Sequence, residues 1–292
     1  MCPQWAHRQG VARWVGPAEN VGVAPASAPL NLNGIIVNIA SITEPAVPAY
    51  PFNQLHQVDA LQLATSFPNA SLDMLLTDPP YSSGGLHVGQ RAQTTSQKYI
   101  SGNAQYQDFT CDNMDQRSWS FWCHAWLSQV NRALKPGGVV VCFIDWRQLP
   151  TLTDVVQAAG FILRGIAVWD KTAGRFRPRR NGFGQQAEFI VWASKGKLPE
   201  REVYLPGVFQ AKLGIPKQHL TEKPIDMARQ IVRLVPPGGV VADLFAGCGT
   251  FLVAAKEAGL QWVGSELDDH YHQVASDRLA RPAPAPLQDL AA

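Results

Sequence analysis

Val240-Val241-Ala242-Asp243-Leu244-Phe245-Ala246-Gly247-Cys248-Gly249-Thr250 is an apolar run that breaks into glycines. Val240 to Phe245 reads as a buried strand. Gly247 and Gly249 read as a tight turn that opens a helix running through Ala258. Gln261 to Ser265 is the next strand, and residues 268 to 280 form the last helix. Strand, helix, strand and helix in immediate succession are the pattern of a parallel crossover unit.

The same alternation extends upstream. Leu72 to Thr77 reads as a buried strand. Residues 118 to 134 read as a helix, with Trp119, Trp122, Trp126 and Val130 at helical spacing as a core-facing stripe. Lys135-Pro136-Gly137-Gly138 stops that helix, and Val139 to Ile144 is a strongly apolar strand. Residues 148 to 159 are helical. Phe161 to Trp169 and Ala187 to Trp192 are strands expected to run antiparallel around a basic loop at 171–186. Pro224 suits a first helical turn, and the helix after it runs from Ile225 to Val235. This succession predicts an α/β fold: an open, mostly parallel sheet with helices on both faces. Residues 1–33 are rich in Ala, Pro, Gly and Val without period and read as a poorly ordered arm. Residues 34–280 read as one domain, and the Pro-Ala stretch at 281–292 as a flexible tail. Residues 82–117 are polar and glycine-containing. Directly after Tyr81, so long a loop is expected to serve as a lid or substrate clamp.

With 292 residues, 46% of them apolar, the chain can bury a substantial core. Its net charge of +2 excludes a polycation, so any affinity for nucleic acid must be local. Lys171, Arg175, Arg177, Arg179 and Arg180 provide it, with no acidic residue between Asp170 and Glu188. Such a run is either a solvated loop or a phosphate contact. The five cysteines are scattered, without a C-x-x-C pair or clustered histidines, so no metal site is expected. Their odd number suits a reducing cytoplasm. The sequence has no apolar stretch of transmembrane length and no leader-like start, so no membrane association is expected.

Two stretches carry chemistry. At the glycine loop, backbone N–H groups can approach a ligand closely at the positive end of a helix. Glu266 ends the following strand, where a carboxylate can bind both hydroxyls of a ribose. The loop matches neither the phosphate-binding G-x-x-x-x-G-K-[ST] pattern nor the full dinucleotide fingerprint. A nucleoside without phosphates fits it better, and S-adenosylmethionine is one; a glycine turn without any ligand is the plain reading. Asp78-Pro79-Pro80-Tyr81 follows the strand at 72–77. Asp78 and a proline carbonyl can accept the two N–H bonds of an exocyclic amino group, and Tyr81 offers a face for a planar base. The prolines hold these acceptors with locked φ and bring no competing N–H. The plain reading here is a strand followed by a proline turn.

Together, Asp78-Pro79-Pro80-Tyr81 and Phe245-Ala246-Gly247-Cys248-Gly249-Thr250 resemble the S-adenosylmethionine-dependent amino-methyltransferases. The tetrapeptide precedes the cofactor loop by well over a hundred residues. That circularly permuted motif order is similar to the β-class DNA amino-methyltransferases, with their Rossmann-like methyltransferase fold. Leu220-Thr221-Glu222-Lys223-Pro224 resembles the segment of that class lining the methionine end of the cofactor. Asp59, in Gln57-Val58-Asp59-Ala60-Leu61, sits where the class places an acidic residue near the cofactor's adenine. Trp169-Asp170-Lys171 and Ala187-Glu188-Phe189-Ile190-Val191 also look like its late strands. The resemblance covers residues 50 to 280. It implies a cofactor set of Asp59, Thr221, Lys223, Asp243, Phe245, Ala246, Gly247, Gly249, Thr250 and Glu266. It also implies catalysis by Asp78, Pro79, Pro80 and Tyr81.

What the resemblance implies is methyl transfer by in-line displacement at the sulfonium, without a covalent enzyme intermediate. An aspartate at the head of the tetrapeptide resembles the adenine-N6 enzymes, and a serine there the N4-cytosine enzymes. The expected partner is DNA, either single-stranded or duplex with the target base flipped out. Five cations, Lys171, Arg175, Arg177, Arg179 and Arg180, would hold its phosphates. Only Lys195 to Gln218 fills the space where the class commonly carries a sequence-reading domain, which implies short or relaxed site specificity. An N4-cytosine enzyme, an RNA or protein amino-methyltransferase, and a silent nucleic-acid-binding scaffold are the alternatives. Monomer and homodimer both stay open. So do restriction partnership, regulation and phage-borne protection in a bacterial or phage-encoded protein.

Overall fold

The computed structural model describes residues 30–32, 35–37, 50–82, 114–172, 180–211 and 222–282. Chain contacts separate Met1–Ala46 from Val47–Ala292. Within the first unit, β1 (Leu30–Leu32) pairs antiparallel with β2 (Ile35–Val37). The intervening Asn33-Gly34 is a favoured two-residue hairpin dipeptide. The expected arm at 1–33 lies mostly outside the described residues. The expected lid at 82–117 lies mostly outside the described residues, as does the tail from 283.

The second unit is built on β3 (Gln54–His56), α1 (Ala60–Ser66), β4 (Leu72–Thr77), α2 (Gln116–Ala133), β5 (Leu134–Ile144), α3 (Leu149–Ala158) and β6 (Ile162–Asp170). It continues through β7 (Ala187–Ser194), β8 (Val208–Gln210), α4 (Ile225–Ile231), β9 (Val240–Asp243), α5 (Thr250–Glu257), β10 (Gln261–Ser265) and α6 (Asp269–Ala280). One sheet runs β3-β10-β9-β4-β5-β7-β6-β8. All its neighbours pair in parallel except β7, which is antiparallel to both β5 and β6. The expected α/β sheet, including the antiparallel pair around the basic loop, is therefore observed.

Side-chain alternation along β5 divides the core. Val140, Cys142 and Ile144 join a cluster with Leu63 of α1, Trp119, Trp126 and Val130 of α2, and Leu152 of α3. Val139, Val141 and Phe143 join the opposite cluster, with Met227 of α4 and Phe251 and Leu252 of α5. A period of two along the strand and 3.6 along the helices produces this two-faced burial. The tryptophan stripe on α2 is core, as read. Trp119 and Trp126 are fully buried and Trp122 is partly so.

Two boundaries depart from the sequence reading. Lys135-Pro136-Gly137-Gly138 ends α2 but lies inside β5, where pairing jumps from Leu72↔Leu134 to Met74↔Val139. This bulge is pinned by Asp73, whose Oδ2 accepts from Lys135 Nζ at 2.7 Å and from Val240 N at 2.8 Å. The helix expected over 225–235 ends at Ile231 and tightens into a 3₁₀ turn, Val232–Leu234. Val235, before Pro236, is extended at φ −88°, ψ 137°, as the proline ring demands of its predecessor.

After β4 the chain moves through α2 to β5. After β9 it moves the other way, through α5 to β10. β4 and β9 are neighbours, so their carboxyl ends flank the point at which the chain diverges. A crevice forms there in open α/β sheets. Asp78-Pro79-Pro80-Tyr81 leaves one of these ends and the glycine loop leaves the other.

Candidate active site

The two strand ends are bonded to each other. Thr77 Oγ1, fully buried, donates to Asp243 Oδ1 at 2.8 Å, and Phe245 N donates to the same oxygen at 3.1 Å. Asp243 Oδ2 is buried and has no partner among the described residues. Burial pushes the Asp243 carboxyl up to about 7 against those two hydrogen bonds. The charges of Asp78 and Glu266 add to the rise.

Gly247 and Gly249 adopt φ of 52° and 79°. A Cβ on Gly249 would also stand 3.1 Å from Ala275 Cβ of α6, so a side chain there would be both strained in φ and crowded. Glu266 folds back on the loop. Its Oε2 accepts from Gly247 N at 2.7 Å and its Oε1 from Asp268 N at 2.9 Å. Burial pushes this carboxyl up despite both bonds. Arg278, missed in the sequence reading, ties the loop down through the Cys248 carbonyl at 2.8 Å and Thr250 Oγ1 at 3.2 Å. It also pairs with Glu222 at 3.3 Å. Ala246 is buried, its N–H donating to the Ser265 carbonyl at 2.9 Å. Phe245 packs on Trp122 and Trp126, with ring centroids 5.2 and 5.6 Å away. Asp59 lies on the same edge of the sheet, just past β3. It is exposed and caps α1 by accepting from Leu61 N and Gln62 N. Thr221 lies outside the described residues.

On the β4 side, Asp78 Oδ1 accepts from the Tyr81 hydroxyl at 2.5 Å and Oδ2 from Lys223 Nζ at 2.5 Å. The Pro80 carbonyl accepts from Trp119 Nε1 at 2.8 Å. Pro79 is buried. Lys223 therefore sits on the tetrapeptide, its ammonium 5.6, 5.5 and 5.9 Å from the ring centroids of Tyr81, Phe143 and Trp169. A second carboxylate, Glu188, reaches the same ammonium at 3.2 Å. Glu188 also binds Lys171 Nζ at 2.5 Å and stands 3.4 Å from the Tyr81 hydroxyl. Lys171 thus neutralises a partly buried carboxylate, unlike Arg180, which is exposed. Arg175, Arg177 and Arg179 lie outside the described residues.

Burial pushes the Asp78 carboxyl up, and attraction to Lys223 only partly offsets burial and the repulsion of Glu188. Burial acts likewise on Glu188, but Lys223 and Lys171 together outweigh it and hold Glu188 below the usual carboxylate range. Lys223 is pulled down by burial and raised more strongly by the two carboxylates. A simple ion pair would lower Asp78. Its rise reflects burial first, with repulsion by Glu188 added, which the Lys223 ammonium does not fully offset. Burial, Asp78 and Glu188 keep the Tyr81 phenol well above its ordinary value. The thiols of Cys142 and Cys248 are also pushed up by burial, the reverse of what a nucleophile needs. Glu188 entered the sequence reading only within a strand resembling the family's late strands; its charge at the head of an otherwise apolar strand is the signal that could have marked it. Trp119, by contrast, was read as core alone.

The arrangement joins a glycine turn with a free buried carboxylate oxygen to a tetrapeptide whose aspartate already holds hydrogen-bond donors. Among the described residues no helix is long and apolar enough to cross a membrane.

A family model described as DNA methylase matches residues 72–213 and 200–277. YubD of Escherichia coli strain K12, which carries a methylase description, is 28% identical over 225 residues, 77% of this chain and 88% of its own. The crystal structure of the M1.HpyAVI–SAM complex superposes with a TM-score of 0.57 at 22% identity, covering 78% of this chain and 99% of that one. The cytosine-N4-specific PvuII DNA methyltransferase superposes with a TM-score of 0.60 at 17% identity, covering 84% and 92%.

Proposed function

We propose, for a chain that belongs to the DNA methylase family, that it transfers a methyl group from S-adenosylmethionine to the N6 amino group of adenine in DNA. The observation that carries this reading is the 2.8 Å hydrogen bond from Thr77 to Asp243, which joins the tetrapeptide strand to the glycine-loop strand. Donor and acceptor of the methyl group then meet at one crevice.

The residues present fit the cofactor. The orphaned Asp243 Oδ2 is an acceptor for a cationic group. The Gly247–Gly249 turn leaves space for a close approach, and Glu266 is the carboxylate for a ribose. Phe245, Ala246 and Thr250 shape the loop, Asp59 stands at the neighbouring strand end, and Thr221 leads into Lys223. When bound, S-adenosylmethionine supplies an activated methyl group on a sulfonium. The chain's own residues do the positioning. Asp78 accepts one N–H of the amino group and the Pro79 carbonyl accepts the other, since Trp119 already occupies the Pro80 carbonyl. Tyr81 offers its ring to the base, and the buried surroundings exclude water. Arg175, Arg177, Arg179 and Arg180 hold phosphates, whereas Lys171 serves Glu188.

A second reading, transfer to cytosine N4, is favoured by the similarity to the PvuII enzyme. Incubation with labelled cofactor and unmodified DNA, followed by digestion to nucleosides, separates the two. Label in N6-methyladenine supports the first. Label in N4-methylcytosine alone rejects it, and label only in RNA or protein rejects DNA as the substrate.

A further inference from the structure

Strand order brings one more side chain beside the crevice. In the sheet, β5 lies between β4, which delivers Asp78–Tyr81, and the β7-β6 pair, which carries the basic loop. β5 and β6 both run antiparallel to β7, so β4, β5 and β6 all end on one edge. Trp146 follows β5 on that edge. The register pairs Thr77 with Cys142, so Trp146 is as far past the pairing as Tyr81 is. Phe143 and Tyr81 flank the same Lys223 ammonium, with ring centroids at 5.5 and 5.6 Å, which draws the two strand ends together. The charge of Asp145 contributes to the rise of the Tyr81 phenol, as it would between neighbours.

Among the described tryptophans Trp146 alone is exposed, at 52%, while the rest are buried or half-buried. It is also held in place. Asp145 Oδ1 accepts from Arg147 N at 3.1 Å and from Gln148 N at 3.0 Å, and the Asp145 carbonyl accepts from Leu149 N at 3.1 Å. Asp145 Oδ2 accepts from Arg147 Nε at 2.8 Å, and the Arg147 guanidinium carbon lies 5.8 Å from the centroid of the Trp146 ring. Leaving a large apolar plane in water forgoes the gain of burying it. A plane already fixed by its loop loses little freedom when it meets a flat partner.

We propose that Trp146 is a DNA-binding residue whose indole stacks on a nucleobase flanking the target, between the tetrapeptide that takes the target base and the loop whose Arg180 holds phosphate. This rests on reading the chain as a DNA methyltransferase and adds a contact that is not electrostatic. Neighbouring strands lie about 5 Å apart, so the end of β5 stands one strand spacing from the tetrapeptide and two from β6. A target base turned out of the strand leaves its neighbour unstacked on one face, and the indole replaces that stacking. Every base has such a face, so the contact tolerates any sequence, in keeping with short or relaxed site specificity.

The test measures binding, by fluorescence anisotropy, to a single-stranded oligodeoxynucleotide and to an abasic strand of the same length. The wild type should prefer the strand that carries bases. Trp146→Ala should weaken binding to that strand about 5- to 100-fold, the size of one base–aromatic stack, and leave binding to the abasic strand nearly unchanged. Its slope of log K against log salt should match the wild type, because no cation is lost. Trp146→Leu, which keeps apolar bulk without a π-face, should behave like Trp146→Ala, and Trp146→Phe should retain most of the affinity. Tm and calorimetric cofactor affinity should stay at wild-type values. If Trp146→Ala fails to fold, Trp146→Leu decides on the same readings. A merely structural role predicts a lower Tm with equal losses on both strands. Wild-type affinity in Trp146→Ala, equal losses on both strands, or a flatter salt slope would overturn the stacking role while methyl transfer to DNA by the wild type still stood. A wild type that binds cofactor but neither binds nor methylates DNA would remove the functional reading, and this inference with it.

Discussion

Asp243→Asn is expected to raise stability at neutral and alkaline pH while weakening cofactor binding. Asp243 is fully buried, with Oδ1 taking two donors and Oδ2 none among the described residues. Burial, opposed by those hydrogen bonds and reinforced by Asp78 and Glu266, places its carboxyl at about 7 instead of 3.8. The folded state therefore binds this proton more tightly than the unfolded chain. The contribution to stability is full below the unfolded value and is lost as pH rises to about 7, after which it is flat. Asparagine keeps the carbonyl acceptor for Thr77 and Phe245 and cannot ionise. From pH 5 to the folded value is about two units, so at about 1.4 kcal/mol per unit the variant should gain about 3 kcal/mol on the wild type. Urea unfolding at about pH 5, 6, 7 and 8 reads this gap directly. A gap that is constant, or narrows as pH rises, would refute the account of a buried, unsatisfied carboxylate. The same substitution turns the free acceptor into a donor. Calorimetric affinity for S-adenosylmethionine should fall about 10- to 100-fold, the cost of one charged hydrogen bond.

Asp78→Ala should lower kcat by about 100-fold or more with cofactor affinity retained, and a variant with wild-type turnover would remove Asp78 from the chemistry. Gly249→Ala combines a left-handed φ of 79° with a Cβ 3.1 Å from Ala275 Cβ. It should cost about 1–3 kcal/mol, visible as a lower Tm and weaker cofactor binding. Arg180→Ala should weaken DNA binding at low salt and reduce the slope of log K against log salt by about 1; an unchanged slope would free Arg180 from phosphate contact.

Where an element's cause is local, it could be read from the chain. The tryptophans of α2 announce a buried helical face by their spacing, and Pro236 stops the preceding helix through its own ring. The glycine turn at 247–249 needs left-handed φ wherever it occurs. By contrast, β3 and β8 are three residues each, too short for a period. They exist as strands because β10 and β6 offer edges to pair with. The bulge at Lys135–Gly138 likewise depends on Asp73, a residue 62 positions away from Lys135.

At the site itself, the sequence alone determined which groups are presented: an aspartate and prolines at one strand end, glycines and acids at the other. Only the tertiary structure decided who holds whom. Lys223 reaches Asp78 across 145 positions and Tyr81 approaches Glu188 across 107. Backbone geometry is encoded within a few residues, because sterics and hydrogen bonding act between chain neighbours. Charge partnership is set by distance and burial after folding, and neither can be read along the chain.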